Sequence, residues 1–247
     1  MYPGVNRGTG PVMTDTTKPN PFLEPLITLV IPALILMKMS DPERLGAFPA
    51  LLLALAVPLV WGVRDLIRSG KLNLFAALGL VSVGLTGGIG LLQLDNQWLA
   101  VKEAAIPGVI GLAVIVSGQT RYSLIHAMLL NPKLIDTARI QQQLSMRGTT
   151  RIFETRLQKA NWLLGGTFFF SAAMNYLLAT WIVTSPAGSP GFNEELGRLA
   201  LLSYPMIAVP SMLMMMAVLY YLARTIRVLA GLKFTETLNR SGARQEN

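Results

Sequence analysis

The sequence predicts an all-α fold, a polytopic bundle of about six transmembrane helices, several of them kinked by proline. Three observations carry that expectation. Apolar runs of about 20 residues, the length that crosses a bilayer core as a helix, recur along the chain. Hydrophobic residues fill 52% of the 247 positions and charged residues only 14%, and the charges gather in a few loops instead of covering a surface. The bases, finally, are shared unequally between alternate loops, as the insertion of a polytopic protein requires.

The same composition removes several functions. Without cysteine there is no disulfide, thiolate metal site or cysteine nucleophile, and a single histidine, His126, speaks against a haem pair or a histidine zinc centre. No cofactor and no metal are expected. A net charge of +8 would point to nucleic acid in a soluble protein, but in a membrane protein the positive-inside rule produces the same excess. It is assigned here to topology, with no nucleic-acid partner.

In chain order, residues 1–21 read as a flexible cytoplasmic tail rich in Gly, Pro and Thr, without the marks of a signal peptide. The membrane domain, 22–225, opens with a short run at 22–38 that carries Pro25 and Pro32; its length also fits an interfacial or re-entrant segment. Spans at 45–63, 74–94 and 98–118 follow, the first ending at Trp61 with Arg64, Arg68 and Lys71 beyond it. Gly84 and Gly88 have the GxxxG spacing and Gly87 lies between them, so these three mark a helix-packing face. Residues 119–160 read as a cytoplasmic loop with an amphipathic helix, whose apolar positions Leu134, Ile135, Ala138, Ile140 and Leu144 would lie on the inner leaflet. Its bases Arg139, Arg147, Arg151, Arg156 and Lys159 are the expected contacts to anionic lipid.

The fifth span, 161–184, is bracketed by Trp162 and Trp181, whose separation of nineteen residues corresponds to about 28 Å of helix, close to the hydrocarbon thickness. An outer loop at 185–197 and a sixth span at 199–222, bent by Pro205 and Pro210, complete the domain; a basic tail, 226–247, follows. With both termini cytoplasmic, seventeen of the 21 Lys/Arg fall inside, and only Lys38, Arg44, Lys102 and Arg198 fall outside. The acids divide 7 to 6, so the asymmetry lies in the bases alone. An interfacial first run would leave five spans and an external N-terminus.

Few residues offer chemistry. Lys102 and Glu103 lie inside the fourth span, and Asn175 lies on the fifth at a comparable depth below Trp181. Together they form a candidate polar pocket in the outer half of the bundle; interhelical hydrogen bonds and a snorkelling lysine are the alternative. Because i,i+1 side chains diverge on a helix, Lys102 and Glu103 are expected to have separate partners. Pro107 removes the amide that would bond the Glu103 carbonyl. Met206, Met212, Met214, Met215 and Met216 read as adaptable packing, and Asp95 has no second carboxylate at a catalytic spacing.

The order of these marks also carries a family likeness. Gly87-Gly88, Asp95, Trp98, Lys102, a basic loop, Leu157 with Asn161-Trp162, then Phe168-Phe169-Phe170 and Asn175 resemble the intracellular septation protein A family of bacterial inner-membrane proteins, over roughly residues 75–181. A larger group of bacterial polytopic membrane proteins is similar too. This chain is longer and has an extra N-terminal tail, a longer stretch at 131–151 and a last span rich in Met and Pro. The resemblance implies a non-enzymatic inner-membrane protein that serves envelope maintenance, division or elongation through lipid and protein contacts, with homo-oligomerisation compatible. A small transporter or channel using Lys102, Glu103 and Asn175 is the competing expectation.

Overall fold

The computed structural model describes residues 29–69, 74–119, 125, 135–232 and 237. Expectations for residues 1–28, which include the N-terminal tail and the start of the first run, for His126 and Leu134, and for the C-terminal tail beyond 237 lie outside the described residues.

Eight α-helices follow one another among the described residues, and local chemistry sets most of their ends. α1 is Ile31–Met39, with Pro32 in its first turn and Lys38 in its last, where a cation complements the helix dipole. Ser40 closes it, its hydroxyl donating to the Leu36 carbonyl at 2.7 Å. Gly46, at φ +80°, turns the chain into α2, Ala47–Ser69, which contains Pro58 and near its end stacks the Arg64 guanidinium over Trp61. α3, Leu74–Leu91, ends in a tight reversal: Leu94 N–H donates to the Ile89 carbonyl across Gln93, which has left-handed φ. Asp95 then caps α4, Asn96–Ser117, accepting from Gln97 N–H at 2.8 Å, and α4 continues through Pro107 without a break.

α5, Thr137–Met146, is capped by the Asp136 carboxylate, which accepts from Arg139 N–H. α6, Thr150–Ile182, begins eleven residues before the expected fifth span. Nothing between Thr150 and Trp162 is Gly or Pro, so the helix simply continues. α7, Pro190–Ser203, occupies most of what the sequence reading gave to a loop. Ser189 accepts from Phe192 N–H and Pro190 stands at the first helical position, so a helix starts inside the expected loop. A π turn, Tyr204–Ala208, joins α7 to α8, Val209–Ala230, which Gly231 ends at φ +69°.

Four stretches are long and apolar enough to cross a membrane: Ala47–Arg64, Asn96–Ser117, Thr150–Ile182 and Pro190–Ala230. The fold is thus an α-helical membrane bundle, and no described residue belongs to a β-sheet ladder. The last stretch, 41 residues, would measure about 61 Å as one helix, twice a hydrocarbon core. Large apolar side chains on the outside, among them Phe48, Val60, Val109, Leu112, Met212 and Tyr220, form the surface that lipid solvates.

Two apolar cores lie inside. One gathers Val114 with Ile140 and Leu144 of α5, Phe153 and Leu157 of α6, and Leu222, Ile226 and Leu229 of α8. The other joins Leu51, Ile89, Leu99 and Leu178 to Phe192 and Leu196 of α7. The first corrects the view of α5 as a helix lying on lipid: Ile140 and Leu144 are spent against α6 and α8, so its apolar face is not free for acyl chains. Together with the first turns of α6 and the last turns of α8 it makes a three-helix cap, whose core runs on through Leu164 and Val218 to Val114 of α4.

Candidate functional site

The polar site is built on α3 and α4. Ser82 and Thr86 are one turn apart on α3 and so share a face, which α4 meets with Lys102. The Thr86 hydroxyl donates to the Ser82 carbonyl at 3.0 Å, leaving its lone pairs for the Lys102 ammonium at 2.7 Å. Ser82 Oγ lies 3.4 Å from the same nitrogen and Glu103 Oε1 2.6 Å from it. Lys102 is only 8% exposed. Its three N–H bonds therefore have three oxygens, one of them anionic, and the group as a whole is electrically neutral.

This corrects the expectation that Lys102 and Glu103 have separate partners. The i,i+1 rule describes Cβ directions, and a lysine stem of four methylenes bends round to a neighbour whose own carboxylate stands on two. Asn175 does not join them: its amide donates to the Ser171 carbonyl at 2.8 Å and lies 3.4 Å from the Ser171 hydroxyl, both on its own helix. Depth below a tryptophan fixes the height of a residue on a helix and not the direction in which it faces.

The glycines divide in the same way. A Cβ on Gly84 or Gly88 would meet no other atom within 4 Å, so the GxxxG pair faces away from every described neighbour. The close approach of α3 to α2 falls on Gly87, where a Cβ would lie 2.8 Å from Leu55 Cδ1, and on Gly90, where it would lie 2.6 Å from Leu51 Cδ2.

The tightest seam was missed by the sequence reading. α4 and α6 make the most extensive helix pair, and they meet over Gly111, Gly118 and Gly165. A Cβ on Gly165 would run into Ile115, one on Gly111 into Phe168 at 3.0 Å, and one on Gly118 into the Asn161 amide. Asn161, 1% exposed, donates across the seam to the Val114 carbonyl at 2.6 Å, while its Oδ1 is buried with no hydrogen-bond partner in the described structure. Gly108, Gly111 and Gly118 were legible as small residues on a span; nothing in one sequence says which helix they face.

Beyond the membrane site, Arg139, Arg147, Arg151 and Lys159 are exposed and Arg156 is half-buried, all on the α5–α6 part of the cap. Arg147 also packs on Gly231 at the C-terminus of α8, where positive charge suits the helix dipole. The opposite end is held by α7: Glu195 accepts from the N–H and hydroxyl groups of both Thr184 and Ser185, at 2.8 to 3.3 Å. Fully buried Asn193 donates to Ser40 Oγ and to the Ala47 carbonyl. No group of three or more metal-ligating side chains occurs among the described residues.

Comparison of the chain with protein-family models, with curated proteins and with solved structures finds no match.

Proposed function

We propose that the chain is a non-enzymatic, six-span protein of the bacterial inner membrane, with both termini cytoplasmic. In this reading it serves envelope maintenance, division or elongation by holding anionic lipid and protein partners at its basic cap, as a septation-type factor would. The observation that carries the reading is the cap: three helix segments packed on one apolar core present Arg139, Arg147, Arg151, Arg156 and Lys159. Height along α6 grades their roles. Lys159 and Arg156 stand about 4.5 and 9 Å from Trp162, within or close to the roughly 8 Å Debye length, and Arg151 about 16 Å away, about twice that length. Each base near an anionic surface contributes about 1 kcal/mol. The distal bases are left for protein partners, including a second copy of the chain.

The test is charge removal. In vesicles containing phosphatidylglycerol, Arg156→Gln with Lys159→Gln is expected to reduce the enrichment of anionic lipid around the protein, whereas Arg147→Gln with Arg151→Gln leaves it unchanged. A fluorescent protein fused after Asn247 should be bright and gather at midcell in dividing cells. Unchanged lipid enrichment in both pairs would sink the basic-cap reading; an even envelope signal would remove the link to division, and an inserted but dark fusion the topology.

A second reading, a small transporter or channel, draws on the burial of Lys102 inside the bundle. Against it stands the saturation of the ammonium by Glu103, Thr86 and Ser82, which suits a closed clip between helices better than a vacant binding site. Loss of solute flux in liposomes on replacing Lys102 and Glu103 by Ala, with folding intact, would restore it.

A further inference from the structure

Where α1 stops and α7 starts, the bundle carries a cleft of about 340 Å³ whose walls include Leu36, Lys38, Asp41, Arg44, Pro190 and Glu194. It opens at the mouths of two membrane-length stretches, Ala47–Arg64 and Pro190–Ala230, and hence at a membrane surface. Charges of both signs line it. Glu194 is already paired with Arg198, at 3.0 Å, whereas Lys38 and Asp41 make no ion pair among the described residues.

The walls are held in place. Arg44 Nη1 donates to the Lys38 carbonyl at 2.7 Å, which lays the guanidinium across the end of α1. The Asp41 carbonyl accepts from the N–H groups of Arg44 and Gly46, and buried Asn193 ties both Ser40 and Ala47 to α7. An apolar strip adjoins the rim: Phe48 and Leu52, four residues apart on one face of α2, are exposed, as is Leu45 in the turn that precedes the helix.

We propose that this cleft binds the headgroup of a zwitterionic phospholipid with a primary amine. Its phosphate meets Lys38 and Arg44, its ammonium meets Asp41, and its acyl chains follow Leu45, Phe48 and Leu52. A headgroup with only negative charge would set its phosphate against Asp41, whose carboxylate accepts from Glu43 N–H at 3.2 Å, and could offer it only neutral hydroxyls, not a cationic donor. A quaternary ammonium has no N–H to give it. The amine headgroup alone answers both signs of the cleft, and the strip accounts for its tails.

The test uses the full chain in nanodiscs of equal phosphatidylethanolamine, phosphatidylcholine and phosphatidylglycerol, with the lipids that survive delipidation counted by native mass spectrometry. Phosphatidylethanolamine is expected to be retained about tenfold over phosphatidylcholine, the worth of one charge-assisted hydrogen bond. Asp41→Asn should bring that ratio near one, and Lys38→Gln should lower retention of all phospholipids. Both side chains are exposed, and unchanged helicity and melting in the variants check the fold. Equal retention of the three lipids by the wild type overturns the proposal, as does an undiminished preference in Asp41→Asn. Soluble glycerophosphoethanolamine separates the sources: failure to displace the retained lipid at equal concentration supports a membrane lipid, and displacement overturns it in favour of a soluble phosphoamine.

Discussion

Helix α4 packs on α6 and on α3 and treats them in opposite ways. Toward α6 it is bare: Gly111 and Gly118 let backbones approach until the Gly165 carbonyl and the Asn161 amide lie against them, and the gain is dispersion along a long seam. Toward α3 it sends a lysine, whose ammonium reaches the Ser82 and Thr86 hydroxyls of α3 while Glu103 of α4 itself supplies the counter-charge. In lipid, where hydrophobicity does not drive helices together, these are the two remaining ways to join them. The first works by shape and tolerates no added atom; the second works by charge-assisted hydrogen bonds from one buried ammonium and depends on its acceptors.

That contrast ranks the expected effects of substitution. Gly165→Leu should be the most damaging, since its side chain would have to occupy the volume of Ile115: overpacking of about 3 kcal/mol or more is expected, read as loss of the folded fraction in a detergent melt. Next comes Lys102→Met, which leaves Glu103 without its cation. A loss of about 2 to 3 kcal/mol is expected, reduced from the fully buried case because Glu103 is 30% exposed. Adding Glu103→Gln should recover much of it. A double variant that melts lower than Lys102→Met would show that Glu103 is not the counter-charge that Lys102 requires.

Thr86→Val tests the smaller contribution of a neutral acceptor and should cost about 1 kcal/mol in the same melt. The mildest change is Gly84→Leu, on a glycine that faces open space within the chain; a shift within about 0.5 kcal/mol is expected. A large loss there would reveal a neighbouring chain on that face and would turn the GxxxG pair into an intermolecular contact.

The seams also show where sequence reasoning stops. Membrane helices were legible because about 20 apolar residues in a row have few other uses. Trp162 and Trp181 are both exposed, at the two ends of the apolar part of α6, as their spacing implied. Rotational phase was not legible. Gly84 and Gly111 look alike in the sequence, as do Asn175 and Asn161, yet one member of each pair faces the interior and the other its own helix or the outside. In a lipid-facing helix the usual amphipathic signal disappears, because the outside is as apolar as the core, and with it goes the cue that orients a helix in a soluble protein. The polar clasp of Glu195 was hidden for a different reason. Its four donors come from Thr184 and Ser185, eleven and ten residues upstream, and no local pattern announces such a pairing.

The π turn at Tyr204–Ala208 has a consequence for how the chain tolerates insertion and deletion. Val209 N–H donates to the Tyr204 carbonyl, five residues back, so this turn holds one residue more than an α-helix would. At 100° per residue, the extra residue rotates everything after it by about a quarter of a revolution. α7 can then set Gly197 against the Ala33 carbonyl of α1 while α8 sets Leu222 and Ile226 into the core it shares with α5 and α6. Deleting a single residue between Tyr204 and Ala208 would restore regular α geometry and spoil the meshing of one half or the other, like a gear that has lost a tooth. Elsewhere in α8 a conservative exchange is a local matter; in these five positions chain length itself is under constraint.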